Sequence, residues 1–174
     1  MLLGTIPYKA MSIRIIKGDI FKVKLANGII RYFQFIGKDN SELNGDVIAI
    51  FRKHHSKEPT SPEMVLDDKI ECFMHTSVLA GIKLGLWERV ISLPVTVLEK
   101  EIVFRTSLDY GLYPRQHVVS HRWVIWSMNG ERHYVGTLPK EYYNSDLGGV
   151  FAPIHVINRM ETGDTPAKYY PDYC

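Results

Sequence analysis

An α+β fold built mostly from antiparallel strands is what this sequence predicts, and three observations predict it. Short runs of alternating apolar residues recur, Asn-Gly dipeptides stand between such runs, and one stretch after Thr76 has helical spacing. The N-terminal half is expected to be an SH3-like or partly open barrel with one short helix, followed after Pro94 by a second antiparallel β group.

Gly18-Asp19 reads as a turn that launches a strand over residues 20–25, with Phe21, Val23 and Leu25 inward. Asn27-Gly28 tolerates the positive φ of a type I′ turn and leads into an aromatic, β-branched run at 29–36, so the two strands are expected to pair. Residues 37–46 have loop composition, and 47–51 form a wholly apolar run that suits a buried third strand. Residues 54–68 carry Pro59, Pro62 and charge, and read as an exposed connection with one helical turn after Ser61. A strand at 70–74 is followed by Thr76 or Ser77 as cap of a short helix with Val78, Leu79, Ile82 and Leu86 on one side, and Gly85 near its end.

Beyond Pro94 the pattern is less regular. Strands are expected over 95–106, 118–127 and 132–137, the last entered through Asn129-Gly130. A short helix is expected from Pro139 to Tyr143, a break at Gly148-Gly149, and a strand over 150–157. Residues 1–11 read as a lead-in with little order.

Among 174 residues, 45% are apolar and 23% charged, an ordinary globular composition. With 21 basic and 19 acidic residues the net charge is +2, which gives no electrostatic ground for dedicated nucleic-acid or membrane binding. Two cysteines, Cys72 in an apolar stretch and Cys174 at the last position, do not make a disulfide framework, and a reducing, cytoplasmic setting is expected. No run approaches the roughly 18 to 20 apolar residues of a membrane span.

Two motifs, in a fixed order, carry a resemblance. Lys17-Gly18-Asp19-Ile20-Phe21, a hairpin, the apolar Val47-Ile48-Ala49-Ile50-Phe51 and the closing Gly85-Leu86-Trp87-Glu88-Arg89-Val90 together resemble the immunity protein 26 family over about residues 12–94. That resemblance implies a bacterial, non-catalytic protein that neutralises a cognate toxin by binding it, with no cofactor. Its motif positions are Gly18, Asp19, Phe21, Gly85 and Trp87, for which turn chemistry and core packing are sufficient local reasons. Residues 95–174 lie outside the resemblance and are expected to be a β-rich extension packed on the first unit.

Candidate contact residues follow from charge and aromaticity. Glu42, Asp46, Glu58, Glu63, Asp67 and Asp68 fall in the two loops of residues 39–68 and are expected to form an acidic rim that meets a partner protein. The alternative is a ligand- or nucleic-acid-binding module, with an aromatic and cationic surface of Tyr113, Arg115, His117, His121 and Trp123. His117 and His121 share a face, but no spacing selects a third metal ligand, so no metal is expected. Cys72 reads as a structural thiol in a half-buried strand, and no nucleophile elbow, phosphate loop or zincin helix is present, so no catalytic residue is assigned.

Overall fold

The computed structural model describes residues 13–109, 118–164 and 169–170. The expected lead-in over 1–11 lies outside them. The first sheet contains β1 (Asp19–Lys24), β2 (Ile30–Asp39), β3 (Gly45–Phe51), β4 (Ile70–Thr76) and, after α1 (Val78–Lys83), β5 (Glu88–Ser92). Its order is β4-β3-β2-β1-β5, antiparallel throughout. The sheet stays open, with β4 and β5 as its two edges. The second sheet is built from β6 (Val103–Ser107), β8 (Trp123–Ser127), β9 (His133–Gly136) and β10 (Asp146–Leu147), in the order β10-β6-β8-β9. Between them in sequence, β7 (Val118–Val119) pairs in parallel with β11 (Tyr169–Tyr170), and α2 (Pro153–Thr162) precedes β11. Among the described residues no helix is long and apolar enough to cross a membrane.

The first sheet is covered on both faces, which explains why β3 is apolar without alternation. Ile48 and Ile50 point with Phe21, Val23, Phe33 and Met74 toward Val78 of α1 and Val156 and Met160 of α2. Val47 and Ala49 point the other way, onto Ile102 and onto Phe104, Val124 and Trp126 of the second sheet. The far end of that second face is closed by Val65 and Leu66, which pack with Ile20, Tyr32 and Phe51. A 3-10 turn at Pro62–Val65 delivers Val65, as the helical turn expected after Ser61.

Local chemistry sets the connections. The Asp19 N–H donates to Ile16 O at 3.0 Å, closing a turn whose third residue, Gly18, has φ +95°. A Cβ on Gly18 would also lie 2.2 Å from the Leu93 carbonyl oxygen. The first hairpin forms as expected, but its turn is not type I′. Gly28 alone has positive φ, the Gly28 N–H donates to Leu25 O, and the Asn27 side chain accepts from Ile29 N, giving a three-residue loop. At α1, Ser77 Oγ accepts from Ala80 N, and the Asp46 carboxylate accepts from Val78 N at 2.9 Å.

Four expectations are corrected. The strand expected over 95–106 begins only at Val103, because Glu99–Glu101 form a 3-10 turn closed by the Ile102 N–H on Glu99 O. Residues 150–157 do not form a strand: Pro153 opens α2 at its first turn, and Val156 and Met160, four apart, bury one helical face. The β-branched residues there mimic a strand, while period and proline decide. The run 118–127 is interrupted at residues 120–122, where Ser120 Oγ accepts from Arg122 N and turns the chain. The loop composition of 37–46 conceals strand, since β2 continues to Asp39 and β3 begins at Gly45.

Alanine at the two turn glycines separates conformation from crowding. Gly28→Ala meets nothing within 4 Å and should cost about 1 to 2 kcal/mol for the positive φ alone. Gly18→Ala should cost clearly more, about 2 to 5 kcal/mol, because the Leu93 backbone must also move. Urea unfolding midpoints of the two variants check the ranking.

Candidate functional site

The two motif segments, about 65 residues apart in sequence, meet at one groove. Just past the C-cap of α1 at Leu84, Gly85 takes φ +69°, and the chain turns back so that Trp87 enters the core. The Trp87 ring stands edge-on to Phe33 at 5.1 Å, and Phe33 stacks on Phe21 at 5.0 Å. The indole N–H donates to Val78 O at 3.0 Å, and Gly81 lies so close that a Cβ there would fall 1.9 Å from the ring. Trp87 is therefore 4% exposed, a core plug as its local sequence suggested.

Beside this plug runs a groove of about 590 Å³ between β1, the start of β5, the end of α1 and residues 13–15. Ile15, Phe21, Ile82, Leu86 and Trp87 form its apolar wall, and Arg14, Lys22, Lys24 and Arg89 surround it with Asp19 and Glu88. Asp19 is fully buried and spent on structure. It accepts from Ile16 N at 3.0 Å, from the Ser92 hydroxyl and from Arg89 Nη1 at 3.4 Å. Lys22 contacts Glu58 at 2.7 Å and Glu88 at 2.6 Å, and these carboxylates hold its ammonium well above the usual lysine range against the opposing effect of burial. Among the described residues Arg14 and Lys24, both exposed, have no ion-pair partner.

The groove exists because β5 is short. Its ladder with β1 ends at the Lys22–Glu88 pair. Leu25 N donates to Ile29 O, so the odd-numbered residues of β1 bond toward β2, and the backbone N–H and C=O of Lys24 face the side where β5 has ended.

The buried ionisable groups elsewhere are enclosed. His75 and Asp39 are both fully buried, with His75 Nε2 2.9 Å from Asp39 Oδ2. Burial pushes the Asp39 carboxyl upward, but hydrogen bonds from Ser41, His75 and the backbone N–H groups of Ser41 and Asn129 outweigh it and hold it at about 2. Burial lowers the His75 value despite Asp39, which makes the ring neutral, with Nε2–H the donor and Nδ1 an acceptor without a partner among the described residues. A second cluster joins Arg31 to Glu71 at 2.5 Å and to the carbonyls of Phe51 and Met160, with Arg159 3.2 Å from the same Glu71. Next to it, burial pushes the Cys72 thiol up to about 11, as befits a structural cysteine. Burial also pushes the Asp146 carboxyl up to about 6, against the Phe73 N–H, Arg159 and Arg105.

The acidic residues singled out in sequence do not make one rim. Glu42 and Asp46 flank the β2–β3 turn, whereas Glu58, Glu63, Asp67 and Asp68 lie between β3 and β4, at the opposite end of a seven-residue strand. A strand of that length separates them by about 20 Å. Several are also occupied: Glu42 by Arg132 at 3.6 Å, Asp46 by the start of α1, Glu58 by Lys22, Glu63 by Ser61, and Asp68 by the backbone N–H groups of Lys53 and Lys69. Of the alternative surface, Tyr113, Arg115 and His117 lie outside the described residues, and His121 is exposed. Trp123 presents no face to a ligand. It is 1% exposed, its N–H donates to Ser120 O at 2.7 Å, and the Arg105 guanidinium covers its ring at 5.5 Å. Sequence reasoning missed Arg14, Lys24, Ile82 and Arg89, although the alternation of Lys22 and Lys24 with buried residues was a visible signal.

Acid should unfold the protein through Asp39. Its folded value is depressed below the ordinary 3.8, so its stabilisation, about 2 kcal/mol, is present above about pH 4 and is lost as pH falls towards 2. Asp146 works oppositely: its raised folded value means that stability declines as pH rises between about 4 and 6. Urea midpoints in Asp39→Asn should therefore lack the steep decline below about pH 4, and the His75 ring resonances should remain those of neutral imidazole at about pH 6.5, where an exposed histidine is half protonated.

No protein-family model, no curated protein and no solved structure matches this chain, so the reading of the site rests on its geometry and on the sequence resemblance.

Proposed function

We propose that this chain is a non-catalytic binding protein that neutralises a cognate bacterial toxin by occupying it, as its resemblance to the immunity protein 26 family implies. The observation that carries this reading is the convergence of both motif segments on one groove: Asp19 and Phe21 from β1, and Gly85 and Trp87 from the end of α1. A partner-binding surface needs a rigid support, and Trp87, locked by Phe33, Val78 and Gly81, supplies one. The buried ionisable groups favour binding over chemistry in this reading. Asp39, His75, Arg31 and Asp19 are each almost wholly enclosed and engaged in holding strands and helices together.

Co-expression with toxin-domain polypeptides encoded beside this chain tests the proposal. One of them should co-purify with it at equal stoichiometry, and cells should survive the toxin only when the chain is present. Survival without complex formation, or a complex with none of them, refutes it.

A further inference from the structure

The groove has three properties that together describe its occupant. Its wall is apolar, formed by Ile15, Phe21, Ile82, Leu86 and the edge of Trp87. Its rim carries two exposed cations, Arg14 and Lys24, without ion-pair partners among the described residues, while Lys22 and Arg89 are already held by carboxylates. Its floor offers a backbone donor and acceptor at Lys24, where the β1–β5 ladder has stopped. An apolar wall selects a side chain, a backbone pair left open among the described residues selects an extended main chain, and cations without partners among those residues select carboxylates.

We propose that the groove binds an extended, acidic segment of the partner protein, added beside the end of β1 with one apolar side chain against the half-buried Ile15, Ile82 and Leu86 and carboxylates at Arg14 and Lys24. This rests on the binding-protein reading above and reverses the charge expected of the contact: the partner brings the acid. The volume, about 590 Å³, suits a few residues rather than a whole domain. Nucleic acid is the poorer occupant. Phe21 and Trp87 are buried and offer no open ring face for base stacking.

The test titrates the isotope-labelled full chain with an acetylated pentapeptide of sequence Asp-Phe-Glu-Leu-Asp, followed through the Lys24 amide and Trp87 indole N–H resonances. Both should shift, the affinity should fall with added salt, and the Arg14→Glu/Lys24→Glu variant should bind about tenfold more weakly or worse. The milder Lys24→Gln guards against misfolding of the double variant and should weaken binding in the same sense. A peptide with lysine in place of each acid should leave the resonances unmoved. The proposal is overturned if the basic peptide binds as well, if the variants bind unchanged, or if no shift occurs at millimolar peptide. It is equally overturned if a thymidine oligonucleotide moves the same resonances more strongly, or if they move with protein concentration alone, as for a second copy of this chain. Toxin capture that survives Arg14→Glu/Lys24→Glu defeats the groove and leaves the broader function standing, whereas loss of all toxin capture in the native chain defeats the function itself.

Discussion

Asp39 stands where the two sheets meet, and its carboxylate is the point on which their joint orientation depends. It closes β2, lies beside His75 of β4, and receives Trp126 Nε1–H of β8 at 3.3 Å and Asn129 N–H at 3.3 Å from the turn that follows. Each of these donors is brought from a different strand or turn, so one buried charge fixes several elements at once. A carboxylate in such a place is tolerable only when nearly every lone pair is met, and here backbone and side-chain donors do so. His75, tilted against Phe104 at 4.2 Å between ring centroids, carries the same constraint into the apolar layer between the sheets.

Once the second sheet is fixed there, the central strands of the first have no face left for solvent, and exposure is confined mainly to the edge strand β5. Helices α1 and α2 cover one side, and β6, β8 and the 62–66 turn cover the other. Arg31 shows the consequence. It is 1% exposed and spends its guanidinium on Glu71 and on two carbonyls, one from the end of β3 and one from α2. The polar groups inside are structural ties, and surface for a partner must come from the edge. That edge is β5, which is too short to finish covering β1.

The acidic rim and the groove illustrate how far residue order can be read. Loops that follow one another in an antiparallel meander emerge at opposite ends of the shared strand, so Glu42 and Asp46 were bound to part from Glu58, Glu63, Asp67 and Asp68 once β3 was recognised. Composition suggested one patch; topology divides it. The aromatic alternative failed at Trp123 for a different reason, since burial of a residue in β8 depends on what β9 and Leu138 bring against it. Segment 150–157 shows a competing signal: β-branched residues pointed to strand, while Pro153 and the four-residue spacing of Val156 and Met160 prevailed once a face of the first sheet needed cover.

The sequence by itself determined the α+β class, the first meander, a short helix capped at Thr76 or Ser77 and the inward placement of Phe21, Val23 and Leu25, because turns, caps and strand alternation are local physics that act within a few residues. It also held both halves of the groove's motif, without a means of joining them. Only the tertiary structure decided that β5 stops opposite Lys22, that Arg14 comes to stand near Lys24, and that Asp39 binds a strand some 87 residues away. Those outcomes turn on where separate elements dock, and docking is set by the summed burial of two sheet faces, a quantity that no short window of sequence contains.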